Sequence, residues 1–259
     1  MYNRLFKWAV LVSLLLLPFF VYFVFVYSAE ENFFQPLAYV GPSEIKKVES
    51  LEGVRYDTIP YTIEDWEFTN QLNRSIHSDS LRGKIYLASF FFSRCPSICP
   101  SMNFQIRQFQ ERFGGFDQFR ILSFTVDPAN DSVGVLKNYA RRMNANNGLW
   151  YFLTGDRDSL YRTASHYLQS AQEDSTAEGG FLHTEQVVLV DWKGHIRSRI
   201  DDNGNLVGSY NALDAVEMKD LSSDLKVLIA EYERERSREE YKAEKEAKKS
   251  KKKNKWTFN

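Results

Sequence analysis

KIYLASFFFSRCPSICPSM, residues 84–102, runs from an apolar and aromatic segment through a loop bearing two cysteines into a helical pattern. Residues 84–92 read as a buried strand, because a short apolar run bounded by turn residues suits a strand covered on both faces. Cys95 closes the following loop and Cys99-Pro100 opens a helix, since proline is at home in a first turn where its missing N–H would have had no partner. Met102, Ile106, Phe109 and Phe113 then keep the four- and three-residue spacing of one helix face.

The same alternation recurs downstream. Residues 119–126, 149–154 and 186–191 are further apolar runs, separated by the helical patterns Leu136, Tyr139, Ala140, Met143 and Leu160, Ala164, Leu168. Asp131 and Asp156 are the expected N-caps of these two helices. Strand, helix, strand, helix, strand, helix, strand predicts an α/β sheet built through parallel crossovers. Residues 191–194 (DWKG) then turn the chain into an antiparallel strand over 195–200, so the predicted sheet is mixed, and Leu221, Leu225, Leu228 and Ile229 mark a last amphipathic helix. No internal repeat is visible.

Residues 8–27 (WAVLVSLLLLPFFVYFVFVY) hold no charge over a length sufficient to cross a hydrocarbon core of about 30 Å. The run is longer than a signal peptide's apolar region and lacks a small-x-small cleavage pattern, so an uncleaved transmembrane anchor within residues 1–28 is expected. Arg4 and Lys7 precede it and Glu30 and Glu31 follow, which predicts a cytoplasmic N-terminus, an inner-membrane location and a domain on the periplasmic or outer face. Residues 29–57, with Pro36, Gly41, Pro42 and Gly53 and no clear period, read as a linker. The domain is expected over 58–230. From residue 231 apolar side chains almost vanish, and a charged, Lys-rich tail over 231–259 extends the last helix and frays. The tail reads as solvated, or as attracted to anionic lipid headgroups.

With 33 basic and 34 acidic residues among 259, the formal charge of −1 gives no sign of a nucleic-acid partner, while 43% hydrophobic residues suffice for a core. Function must therefore reside in a local site. Both cysteines of the chain lie in one short motif, which cannot staple distant parts of an exported fold and reads as a working site. Near a helix N-terminus their thiol pKa values are expected to fall, and Arg94 adds positive charge beside them. Two sulfurs four residues apart around a turn can meet at one soft ion such as Cu(I), or join as a disulfide. A third ligand would come from His77, His166, His183 or His195; His183, on the glycine-bearing stretch before the strand at 186, is the best placed of the four.

FFFSRCPSICPSMN, ILSFTVDPANDSVGVLKNYARRM, WYFLTGDRDSLY and GGFLHTEQVVLVDWKGHIR together resemble the Sco/SenC family of membrane-anchored copper proteins over roughly residues 57–230. The resemblance implies a thioredoxin-like fold and one copper ion, Cu(I) or Cu(II), on Cys95, Cys99 and His183. It also implies copper delivery to the CuA site of cytochrome c oxidase subunit II, or reduction of that site's cysteines by Cys95 and Cys99 as a redox pair. A redox-sensing module is the remaining alternative. Ser93-Arg94 departs from the commoner family form without touching the ligand set, and Asp127 and Asp131, also at family positions, are expected to serve as a turn carboxylate and an N-cap rather than ligands.

Overall fold

The computed structural model describes residues 2–30, 35–50, 53–96, 98–174 and 180–256. They form two compact units, residues 1–36 and 37–259. The first is helix α1, Tyr2–Glu30, with Pro18 inside it. Its window Phe6–Val24 is long and apolar enough to cross a membrane by length and composition.

The second unit runs β1 (Ala38–Val40), β2 (Glu44–Ser50), β3 (Gly53–Ile59), β4 (Glu67–Asn70), β5 (Ser75–His77), β6 (Ile85–Phe91), α2 (Ile98–Phe113), β7 (Phe119–Thr125), α3 (Val133–Arg142), β8 (Trp150–Thr154), α4 (Arg157–His166), β9 (Ala171–Glu173), β10 (Phe181–His183), β11 (Gln186–Val190), β12 (Ile196–Ser198), β13 (Tyr210–Asn211) and α5 (Ala215–Trp256). The main sheet has the order β1-β12-β11-β6-β7-β8-β4-β5, with β13 also on β11. β6, β7 and β8 pair in parallel through α2 and α3, as the alternation predicts. All seven residues of β6 are buried, the state expected of a central strand covered on both faces.

β11 runs antiparallel to β6, not parallel. The β9–β10 hairpin intervenes between α4 and β11, so the strand-helix-strand crossover that would impose parallel pairing is interrupted. The 191–194 turn behaves as read: Asp191 Oδ1 accepts from the N–H groups of Lys193 and His195 at 2.9 Å each, and Gly194 takes φ of +86°, where only glycine is unstrained. Behind the sheet lies an aromatic cluster in which Phe124 packs against Trp66, Phe68, Phe90 and Tyr167.

Three further expectations are corrected. The stretch 29–57 is not all linker, because β1 pairs with β12 at the sheet edge, with Leu37 and Val40 buried, and β2 and β3 form a separate two-stranded ribbon. Nor does the domain end at residue 230. Glu231 accepts from Leu37 N at 3.1 Å and Arg197 Nη2 at 2.8 Å, Tyr232 packs edge-on against Phe116 and Trp192, and Glu235 lies 2.6 Å from Lys193 Nζ. Asp156 caps α4 by accepting from Ser159 N, yet the N-cap of α3 is Ser132, with Asp131 drawn into the interior one residue earlier.

Candidate metal centre

The chain leaves β6 through buried Phe92, and Cys95 N donates back to Phe92 O at 3.2 Å, closing a tight loop. Cys99 is the second residue of α2, with Pro100 beside it in the first turn as expected. Both cysteines are buried; Cys95 is 8% exposed and Cys99 0%. Cys99 N, one of the N–H groups that the start of a helix leaves over, donates to Cys95 Sγ at 3.4 Å.

The two sulfurs are therefore unequal. The Cys99 thiol is pushed far up, first by its hydrogen bond to Cys95 and then by burial. This corrects the expectation that helix position lowers both: a second negative charge beside Cys95, in a dry interior, outweighs what the first turn of α2 provides.

Asp131 holds the loop in place. Its Oδ2 accepts from Ser93 N at 3.0 Å and from Thr125 Oγ1 at 2.5 Å, and its Oδ1 accepts from the Ser93 hydroxyl. The end of β7 and the start of the cysteine loop thus share one buried carboxylate. Asp127 behaves as the expected turn residue, its carbonyl accepting from Asn130 N and Asp131 N. Its buried carboxylate takes Arg94 Nη2 at 2.9 Å and Asn130 Nδ2 at 2.9 and 3.0 Å. Arg94 is therefore balanced by Asp127, and its charge is not free to act on the sulfurs as expected.

Three of the four histidines are held by other partners. His77 in β5 lies 3.3 Å from Glu67, His166 at the end of α4 lies 3.4 Å from Glu64, and His195 Nδ1 lies 2.9 Å from Tyr61 O and 3.2 Å from Thr62 Oγ1. His183 closes β10, its backbone opposite Ala171 of β9. Its side chain lies outside the described residues, as do Glu178 and Gly179. Phe181, two residues earlier, packs against Phe92 with ring centroids 5.3 Å apart, so β10 is fastened to the residue from which the cysteine loop departs. Among the described residues no three of His, Cys, Asp and Glu converge on a point suited to a metal ion.

Sequence reasoning missed Ser93, Thr125 and a buried pair beyond Cys99. Asn103, one turn along α2, donates from Nδ2 to Tyr139 Oη at 2.8 Å, and Asn103 Oδ1 has no partner among the described residues. Burial chiefly, with the neighbouring Cys99 second, pushes the Tyr139 phenol up. An amide on a mostly apolar helix face was the available signal.

The family model described as SCO1/SenC matches residues 56–215, a span that contains the cysteine loop, the Asp127–Asp131 turn and β10. The chain belongs to the SCO1/SenC family. Among its relatives, the SCO1 protein homolog of Bacillus subtilis is 28% identical over 172 residues, covering 66% of this chain and 84% of that protein. The structure of BsSco, described as a member of the Sco family of cytochrome c oxidase assembly proteins with a disulfide switch, is 28% identical, with a TM-score of 0.54 over 65% of this chain and 93% of its own. Bradyrhizobium japonicum ScoI, solved with copper bound, is 22% identical, with a TM-score of 0.52 over 64% of this chain and 99% of its own, and shares the fold. The mixed sheet flanked by helices is the thioredoxin-like fold of the SCO1/SenC family. α1, β1, β2 and all of α5 after Ala215 lie outside the family match.

Proposed function

We propose that this SCO1/SenC protein carries copper for cytochrome c oxidase assembly, taking one ion on Cys95, Cys99 and His183 and passing it to the CuA site of subunit II. The observation that carries this reading is the pair of buried thiols hydrogen-bonded to one another at the first turn of α2. The donor set fits the cargo: two soft sulfurs in a dry pocket suit Cu(I), and a positive ion between them relieves the charge repulsion that otherwise keeps Cys99 protonated. β10, fastened through Phe181 to Phe92, is the element from which an imidazole would complete the set. α1 is the anchor, with Arg4 and Lys7 on the cytoplasmic side and the domain on the other.

Copper stoichiometry of the reduced full-length chain in detergent tests the reading. The wild type should hold one copper per chain, and Cys95→Ser or Cys99→Ser none, because a hydroxyl is a poor ligand for a soft ion. His183→Ala should weaken Cu(I) binding by at least about 100-fold, since even loss of a residue supporting a ligand costs about 10- to 100-fold. Unchanged affinity in that variant would remove His183 from the ligand set.

A second reading has its own support in the hydrogen bond between the two thiols and in the disulfide switch of BsSco. In thiol-disulfide exchange, the thiolate of Cys95, the less buried of the two, attacks a partner's disulfide, and Cys99 resolves the mixed disulfide; a Cys95–Cys99 bond forms as two partner thiols are released. His183→Ala separates the readings. It should abolish oxidase assembly in cells if copper carriage is the task and leave assembly intact if reduction is.

A further inference from the structure

α5 continues well past the domain it packs on. Residues 236–248 are exposed, and up to Lys248 the helix surface is crossed by ion pairs: Glu233–Arg236 at 2.7 Å, Arg236–Glu240 at 3.6 Å and Glu244–Lys248 at 2.6 Å. There the acidic residues stop. Residues 247–256 read AKKSKKKNKW, six lysines and no Asp or Glu, while the backbone remains helical to Trp256. Lys251, Lys252, Lys253 and Lys255 have no acidic residue three or four positions away in either direction. The pairs 248/252, 249/253 and 251/255 instead set like charges one turn apart, an arrangement that opposes helix formation. The helix macrodipole favours cations in the last turn, which accounts for Lys253 and Lys255 but not for a run that starts at Lys248. By sequence the run has neither an apolar stripe nor oppositely charged neighbours, a pattern that a negatively charged surface would stabilise.

We propose that residues 248–256 dock on the anionic phospholipid headgroups of a bilayer. The chemistry is complementary: six lysines within nine residues match a plane of phosphates, and Trp256 at the end of the run is the residue type that settles at a membrane interface. Lys251 lies about 28 Å along the helix from Tyr232, at 1.5 Å per residue, so the run begins well past the last part of α5 that packs on the domain. The docking gives the chain a salt-sensitive hold on the membrane in addition to α1, and to that extent rests on the anchor reading above.

The test is limited trypsin digestion of the full-length chain reconstituted in phosphatidylcholine vesicles, with and without about 30% phosphatidylglycerol, following cleavage within 248–255 by mass spectrometry. At about 50 mM salt these sites should be cut about tenfold more slowly on the anionic vesicles, and the difference should vanish at about 500 mM, where the Debye length falls to a few Å. Cleavage at Lys46 and Lys47 of β2 serves as the control. A variant carrying Lys251→Gln, Lys252→Gln, Lys253→Gln and Lys255→Gln should lose the protection at its remaining sites, Lys248 and Lys249. Equal rates on the two vesicles, or protection that persists in the variant, would overturn the proposal. So would equal protection by soluble glycerol phosphate on neutral vesicles, which would mark a site for small phosphates. Failure of the anchor reading looks different: the chain would be extracted from vesicles by alkaline carbonate, whatever the lipid.

Discussion

Asp131 satisfies three donors from two separate segments while being itself fully buried. Cut back to alanine, it would leave the buried Thr125 hydroxyl and the half-buried Ser93 N–H and hydroxyl without their acceptor, at about 1–3 kcal/mol for a buried group left unmade. Some of that is recovered by relaxation, so Asp131→Ala is expected to lose about 3 kcal/mol of stability in urea unfolding. The loop carrying Cys95 should loosen with it, read as faster alkylation of Cys95 in the still-folded variant. Faster alkylation without loss of stability, or the reverse, would separate the loop from the core contrary to this account. Asp156 is the contrasting carboxylate: exposed, capping α4, and held below the usual carboxylate range chiefly by Ser159 N. Its stabilising effect is present above the unfolded carboxylate pKa and is lost as pH falls through the lowered folded value. Asp156→Ala should therefore lower the melting temperature at neutral pH and make less difference in strong acid.

Among the elements, β1, β12 and α5 are joined through one side chain. Arg197 of β12 reaches Asp191 Oδ2 at 3.1 Å, Glu231 Oε2 of α5 at 2.8 Å and Leu37 O, just before β1, at 2.8 Å, and its guanidinium lies 4.3 Å from the centre of the Tyr39 ring. Arg197 and Asp191 are almost wholly buried. Removing one member of such a set leaves the others charged and unpaired, so Arg197→Met should cost about 3–5 kcal/mol. Ending the chain after residue 230 removes Glu231 and Tyr232 and should be destabilising, whereas ending it after residue 238 should leave the melting temperature nearly unchanged. Because truncation after 230 and Arg197→Met break the same network, their combined effect should fall short of the sum of the two.

Over the whole molecule, several tyrosines are sealed in the core. Tyr86 and Tyr167 meet hydroxyl to hydroxyl at 3.0 Å with Trp66 Nε1 donating to Tyr167, and the Tyr210 hydroxyl donates to Asp224 at 2.6 Å. All three phenols are pushed above their ordinary value, in each case chiefly by burial. The sign follows directly: stability from keeping them neutral is fully present below the unfolded pKa of about 10 and is lost as pH rises toward the folded values. Alkaline unfolding should therefore be cooperative, with phenolate absorbance at 295 nm appearing together with loss of the far-ultraviolet helix signal. Ionisation of these tyrosines well before unfolding would contradict their burial.

The apolar runs at 84–92, 119–126, 149–154 and 186–191 each became a strand, because three to seven consecutive buried residues carry their burial in their own composition. The cysteine turn and the first turn of α2 were likewise legible, since proline and the helix start act within a few residues. What escaped depends on neighbours distant in the chain. β1 is three residues long and exists because β12 offers it an edge; β11 is antiparallel because a short hairpin interrupts its crossover; and Asp131, an apparent cap, was claimed by Ser93, 38 residues away. Arg94 and Cys99 make the same point in charge: local position predicts a free cation and a lowered thiol, and a buried carboxylate and a buried second sulfur reverse both. Local chemistry could be read from the sequence because its causes lie within one turn of chain; pairing, burial and the balance of charge were decided only where the folded chain brought distant segments together.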